Sequence, residues 1–136
     1  MKKVLFLFVS TLVLGLTSCN KDDDKSNSAS IEGKWEYFQE GVLVGAQEFL
    51  EAYEHECETK KDYVEFLAGG IMNDVTYWND CSEDTSIGVW VKNGNTLAIA
   101  IEGESVNAEI LTLNNETLKV KATVEGVTFI QVFRRR

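Results

Sequence analysis

From Gly33 onward, apolar and polar residues alternate with a period of two, broken at short intervals by Gly or Asn. That period puts successive side chains on opposite faces of an extended chain and predicts strands with one apolar face. In the first strand Gly33, Trp35 and Tyr37 share one face, while Lys34 and Glu36 take the other. Further strands are expected over 63–67, 75–78, 87–92, 96–101, 106–113, 118–124 and 127–134. Turns are expected at Gly69-Gly70, Asn93-Gly94-Asn95, Asn114-Asn115 and Glu125-Gly126. Asn-Gly is the strongest short hairpin signal among them. Eight or nine strands, counted from Trp35 and joined without long crossovers, favour an all-β, antiparallel up-and-down meander closed into a barrel over a Greek-key sandwich. Closure also removes the sheet edges that a chain without proline leaves unprotected.

One segment is ambiguous. Val42, Val44 and Ala46 alternate like a strand, whereas Ala46, Phe49 or Leu50, and Tyr53 could form one face of a helix. The favoured reading is a second strand running into an irregular acidic loop, with a one- or two-turn helix over Gln47 to Tyr53 as the alternative.

The N-terminus has a different pattern. Lys2 and Lys3 precede an apolar run from Val4 to Leu16, the build of a secretory signal. The run falls short of the ~20 apolar residues that span a bilayer. Leu16, Thr17, Ser18 and Cys19 resemble the lipobox of bacterial lipoproteins. The resemblance implies removal of residues 1–18 as a signal peptide and attachment of lipid, palmitate among the acyl chains, to Cys19. More than one acyl chain gives stable anchoring, each buried methylene contributing ~0.8 kcal/mol. Residues 19–30 read as a polar, flexible tether carrying Asp22, Asp23 and Asp24. Lys21, Asp22 and Asp23 also resemble a charged signal that takes some Gram-negative lipoproteins to the outer leaflet of the outer membrane. A solvated linker is the other reading. The expected location is the Gram-negative cell envelope, lipid-anchored in the outer membrane, with surface exposure open.

Loss of Lys2 and Lys3 with the signal lowers 13 basic residues to 11 against 22 acidic ones, so the formal charge moves from −9 to −11. Such a chain is repelled by nucleic acid. Residues 31–136 suffice for one domain with a modest core, and a monomer is expected. With Cys19 acylated, Cys57 and Cys81 form an even pair in an oxidising compartment, which predicts a disulfide.

Gly33, Lys34 and Trp35 match the G-x-W opening of lipocalins. Gly88, Trp90, Asn93, Gly94, Asn95, Thr96 and Leu97 resemble the G-x-W…G-N-T-L hairpin of the bacterial lipocalin-like domain. Asp62 to Phe66 are similar to its strand after the first cysteine, and Phe133, Arg134 and Arg135 to its closing F-x-R. The resemblance implies a lipocalin-like barrel. It also implies a structural pair at the barrel floor, with Arg135 lying across Trp35, on the face that alternation shares with Phe129 and Phe133. A ligand cavity is implied by the same resemblance. Trp35, Tyr37, Phe66, Trp90 and Phe129 are its candidate lining, or simply the core.

Candidate chemistry is sparse. His55, the only histidine, lies among Glu51, Glu54, Glu56 and Glu58. Strand alternation points Glu54 and Glu56 away from it, so a solvated acidic loop is favoured over a divalent-ion site and no metal is expected. Among the residues no nucleophile is paired with a base, Asp80, Glu83 and Asp84 lie in a polar loop, and no glycine-rich phosphate loop occurs. A non-enzymatic protein without cofactor is expected, binding a small apolar or amphipathic molecule in its barrel. The rival reading is a filled barrel serving as an interaction module, whose acidic loop from Glu48 to Glu58 contacts a protein or glycan.

Overall fold

The computed structural model describes residues 29–136; the signal peptide, Cys19 and the tether up to residue 28 lie outside the described residues. Nine strands follow in order: β1 Gly33–Val44, β2 Gln47–Ala52, β3 Tyr63–Leu67, β4 Ile71–Tyr77, β5 Glu83–Asn93, β6 Thr96–Ile101, β7 Glu104–Leu113, β8 Thr117–Val124 and β9 Val127–Arg135. All pairings are antiparallel. β3 to β9 pair in sequence, and β1 closes the circle by pairing with both β3 and β9, giving an eight-stranded barrel with β2 as an extra strand.

The expected bounds of the second strand change. Val42 and Val44 belong to β1, and the turn falls after them at Gly45 and Ala46, so β2 begins at Gln47. The second strand of the favoured reading forms over Gln47–Ala52, and the alternative helix over Gln47 to Tyr53 does not. Alternation carried on smoothly across the turn, which hid the boundary.

β1 is long enough to serve two neighbours on one edge. Gly33 to Glu36 pair with β3, and Gln39 to Val44 pair with β2, while β9 runs along the other edge. A bulge at Phe38 shifts the β1–β9 register between Tyr37 and Gln39. Side chains of directly paired residues share a face, so Tyr37–Phe133 before the bulge and Glu40–Gln131 and Val42–Phe129 after it all face the interior.

The core fills one end. Trp35, Phe66, Leu97, Ile110, Leu113 and Leu118 are fully buried there, with Phe133 and Met72 beside them. This is the closed end, into which Ala29 also packs, although the sequence pattern counts it with the polar tether. A smaller cluster covers the outer side of β3 and β4: Cys57, Val75 and Tyr77, with Tyr63 and Cys81 against them. The predicted disulfide joins Cys57 to Cys81, with Cα atoms 5.0 Å apart.

The β1–β2 ribbon coils over the outside of the barrel. Lys119 Nζ on β8 meets Glu48 Oε1 on β2 at 2.6 Å, although β1 and β9 intervene. Three strand spacings in a flat sheet come to about 14 Å, so the turn end of the ribbon must fold across β9. Beneath it Ile130 and Val132, on the outer face of β9, are buried. Gly41 permits the coil: a Cβ there would come within 1.8 Å of the Phe49 carbonyl oxygen.

Candidate binding site

The open end of the barrel is lined by the distal halves of β1, β8 and β9. Here the core gives way to a cleft of about 410 Å³, bounded by Val42, Val120, Ala122 and Phe129 on its apolar side and by Glu40, Glu51 and Gln131 on its polar side. Phe129 faces this space and is 49% exposed, which in an interior position means that the barrel is not filled at this level. A volume of this size lies within the range of small-molecule sites.

Below the cleft lies a polar network. The Tyr37 hydroxyl donates to Asp74 Oδ1 at 3.0 Å, and the Tyr53 hydroxyl donates to Asp62 Oδ2 at 2.9 Å. The two tyrosine rings stack with centroids 4.8 Å apart. The buried Asp62 also accepts the Tyr77 backbone N–H through Oδ1 at 2.8 Å. Burial raises the Tyr37 hydroxyl well above its ordinary pKa, with the Asp74 charge adding to it, and burial followed by the bond to Asp62 raises Tyr53 as well. Both phenols are therefore fixed as donors. Burial also lifts the Asp74 carboxyl, a shift that the Tyr37 bond partly offsets and the Asp62 and Glu102 charges reinforce.

His55 departs from its expected solvated loop. Its side chain is 9% exposed, with the ring edge against Tyr53. Nδ1 accepts the Asp62 backbone N–H at 3.0 Å, which leaves Nε2 of the neutral ring to donate to the Tyr37 carbonyl at 3.0 Å. The residue clips the loop after β2 to β1. Among the described residues no group of His, Cys, Asp or Glu side chains is arranged to hold a metal ion. The acidic stretch is likewise not one loop: Glu48 and Glu51 lie on β2, with Glu48 held by Lys119, while Glu54, Glu56 and Glu58 are exposed beyond it.

The five aromatic residues singled out by sequence separate in space. Trp35 and Phe66 belong to the closed-end core, and Trp90 packs edge-on against Phe66 while its Nε1 donates to the Leu67 and Ile71 carbonyls. Tyr37 lies midway, and Phe129 alone lines the cleft. The Arg135 guanidinium carbon lies 4.0 Å from the Trp35 ring centroid. The cleft's polar side escaped sequence reading, since Glu40 and Glu51 become neighbours only through the β1–β2 register.

This architecture agrees with a family model. Residues 31–120 match the model of the lipocalin-like domain. The chain belongs to the lipocalin-like domain family. Among curated proteins none matches. Among solved structures, a lipocalin-like protein from Bacteroides uniformis is similar at a TM-score of 0.59 and 16% identity, over 78% of this chain and 98% of that one. An uncharacterized protein from Bacteroides eggerthii is similar at 0.58 and 12%, over 79% and 100%. Lobster apocrustacyanin A1 is similar at 0.55 and 18%, over 81% of this chain and 63% of that one. At these identities the likeness concerns the fold. The lipocalin-like barrel is compatible with binding a small ligand.

Proposed function

We propose that this chain is a lipid-anchored, non-enzymatic binding protein of the Gram-negative cell envelope that takes a small apolar or amphipathic molecule into the open end of its barrel. The observation that carries the binding role is the half-exposed Phe129 within the cleft. An aromatic ring left uncovered inside a barrel gains when an apolar body covers it, at roughly 25 cal/mol per Å² of apolar surface removed from water. The anchor rests on Leu16 to Cys19 at the end of the apolar run.

Native mass spectrometry of the protein purified from its own cells tests the binding role. A small molecule should accompany the folded chain and leave on denaturation. A chain that is always empty and takes up no apolar probe overturns the reading. For the anchor, Cys19→Ser should abolish incorporation of labelled fatty acid and release the protein from the membrane; continued labelling would refute it.

A further inference from the structure

The cleft's polar side chains have a bias in hydrogen-bonding capacity that narrows the class of ligand; the inference rests on the binding role proposed above. Glu40 and Glu51 stand opposite one another across the β1–β2 register and face the cleft. Neither has a cationic partner, for the ion pairs of the described residues engage other acids, Glu48 and Glu109. Gln131 donates one amide N–H to the Gln39 carbonyl at 2.8 Å and turns the other to the Val132 carbonyl at 3.5 Å, which leaves its carbonyl oxygen as the free group. The nearby phenols are spent too, on Asp74 and Asp62. The side chains lining the cleft therefore offer acceptors and no free donor.

Charge follows the same division. In the open half, the register turns Glu40, Glu51, Asp74, Asp84 and Glu104 toward the interior. The cations that the register turns inward, Lys92 and Arg135, lie at the closed end, and Lys119 and Lys121 are on the outer face of β8. Low-dielectric walls focus a field of one sign and raise the local concentration of ions of the opposite sign. A carboxylate such as a fatty acid would meet like charge and find no donor. A protonated amine supplies both the charge and the N–H groups that the acceptors lack, through charge-assisted hydrogen bonds.

We infer that the cleft selects a cationic amphiphile, its apolar body against Val42, Val120, Ala122 and Phe129 and its protonated amine between Glu40 and Glu51.

Calorimetric titration at neutral pH with decylamine, decanol and decanoate tests this, because the three share one apolar body. Decylamine should bind at least about tenfold more tightly than decanol, the order expected of one charge-assisted hydrogen bond, and decanoate should bind most weakly. Water solvates the ammonium better than the alcohol, so partitioning alone would give the reverse order. In the double variant Glu40→Gln, Glu51→Gln the ratio of amine to alcohol affinity should fall toward one. Saturable decanol binding without tighter amine binding overturns the inference and leaves the binding role standing. A preference for the amine that survives the double variant overturns the assignment to these two carboxylates. No saturable binding of any of the three overturns both readings.

Discussion

Arg135 lies over Trp35, the guanidinium carbon 4.0 Å from the ring centroid, and the two residues are direct partners in the β1–β9 register. The same guanidinium donates to the Glu32 carbonyl at 2.8 Å, the Ser30 carbonyl at 2.7 Å and the Asn115 carbonyl at 3.3 Å. One side chain thus covers the fully buried Trp35 and ties the segment just before β1 to the β7–β8 turn. Gly33 makes room: its φ is +122°, and a Cβ there would come within 3.0 Å of the Arg135 Nη1.

Arg135→Ala should therefore lower the unfolding free energy by about 2 to 4 kcal/mol, since it removes a cation–π contact and leaves carbonyls without their charged donor. Lysine should restore only part of this, having no planar fork to reach several carbonyls at once. Urea denaturation measures both, and a loss below about 0.5 kcal/mol, the scale of an ordinary surface substitution, would contradict the structural role.

Gly41→Ala tests the coiled ribbon. The added methyl would collide with the Phe49 backbone, so β2 must move away, breaking the Lys119–Glu48 pair and uncovering Ile130. The expected loss is about 2 kcal/mol or more, from overpacking that forces the β2 backbone aside. Amide hydrogen exchange should quicken over Gln47–Ala52 and leave the closed-end strands protected. Unchanged exchange in β2 would show that the ribbon does not depend on this close approach.

The alternation made most of the barrel legible in the sequence, because each of β3 to β9 has one face on the interior and ends in a Gly- or Asn-bearing turn or a polar loop. It also placed Trp35, Phe129, Phe133 and Arg135 on one face, as their register now does. It failed where tertiary packing overrides the local pattern. Ile130 and Val132 are buried on the outer face because the ribbon folds over them. His55 and Asp62 are charged or polar residues in a hydrophilic stretch, which reads as solvated. Their burial comes from hydrogen bonds to groups far along the chain, at Tyr37 and Tyr77, and no local signal announces them.

Replacing His55 by Ala should cost about 2 kcal/mol, because the Asp62 N–H and the Tyr37 carbonyl both lose a partner in a largely buried place. Nitrogen chemical shifts of the neutral imidazole should report the proton on Nε2. A proton on Nδ1 would be incompatible with its acceptance of the Asp62 N–H.

Asp74 should make stability depend on pH. Its carboxyl is held above the ordinary value of 3.8 in the folded chain, so across the interval between the two values the native state binds more protons than the unfolded state. Stability then falls as pH rises through that interval. Asp74→Asn removes the dependence while keeping an acceptor for the Tyr37 hydroxyl. As pH is lowered from neutral toward about 4, the native protein should gain stability relative to the variant. Parallel stability curves for the two would contradict the assignment.

The claim that the barrel's open end is a binding cleft is tested most directly by nuclear magnetic resonance titration with decanol, an uncharged probe of the apolar wall. Saturable shifts should centre on Val42, Val120, Ala122 and Phe129 and spare Trp35, Leu113 and Leu118 in the packed closed end. Shifts that never saturate, or that spread over the outer face and leave Phe129 unmoved, would contradict it.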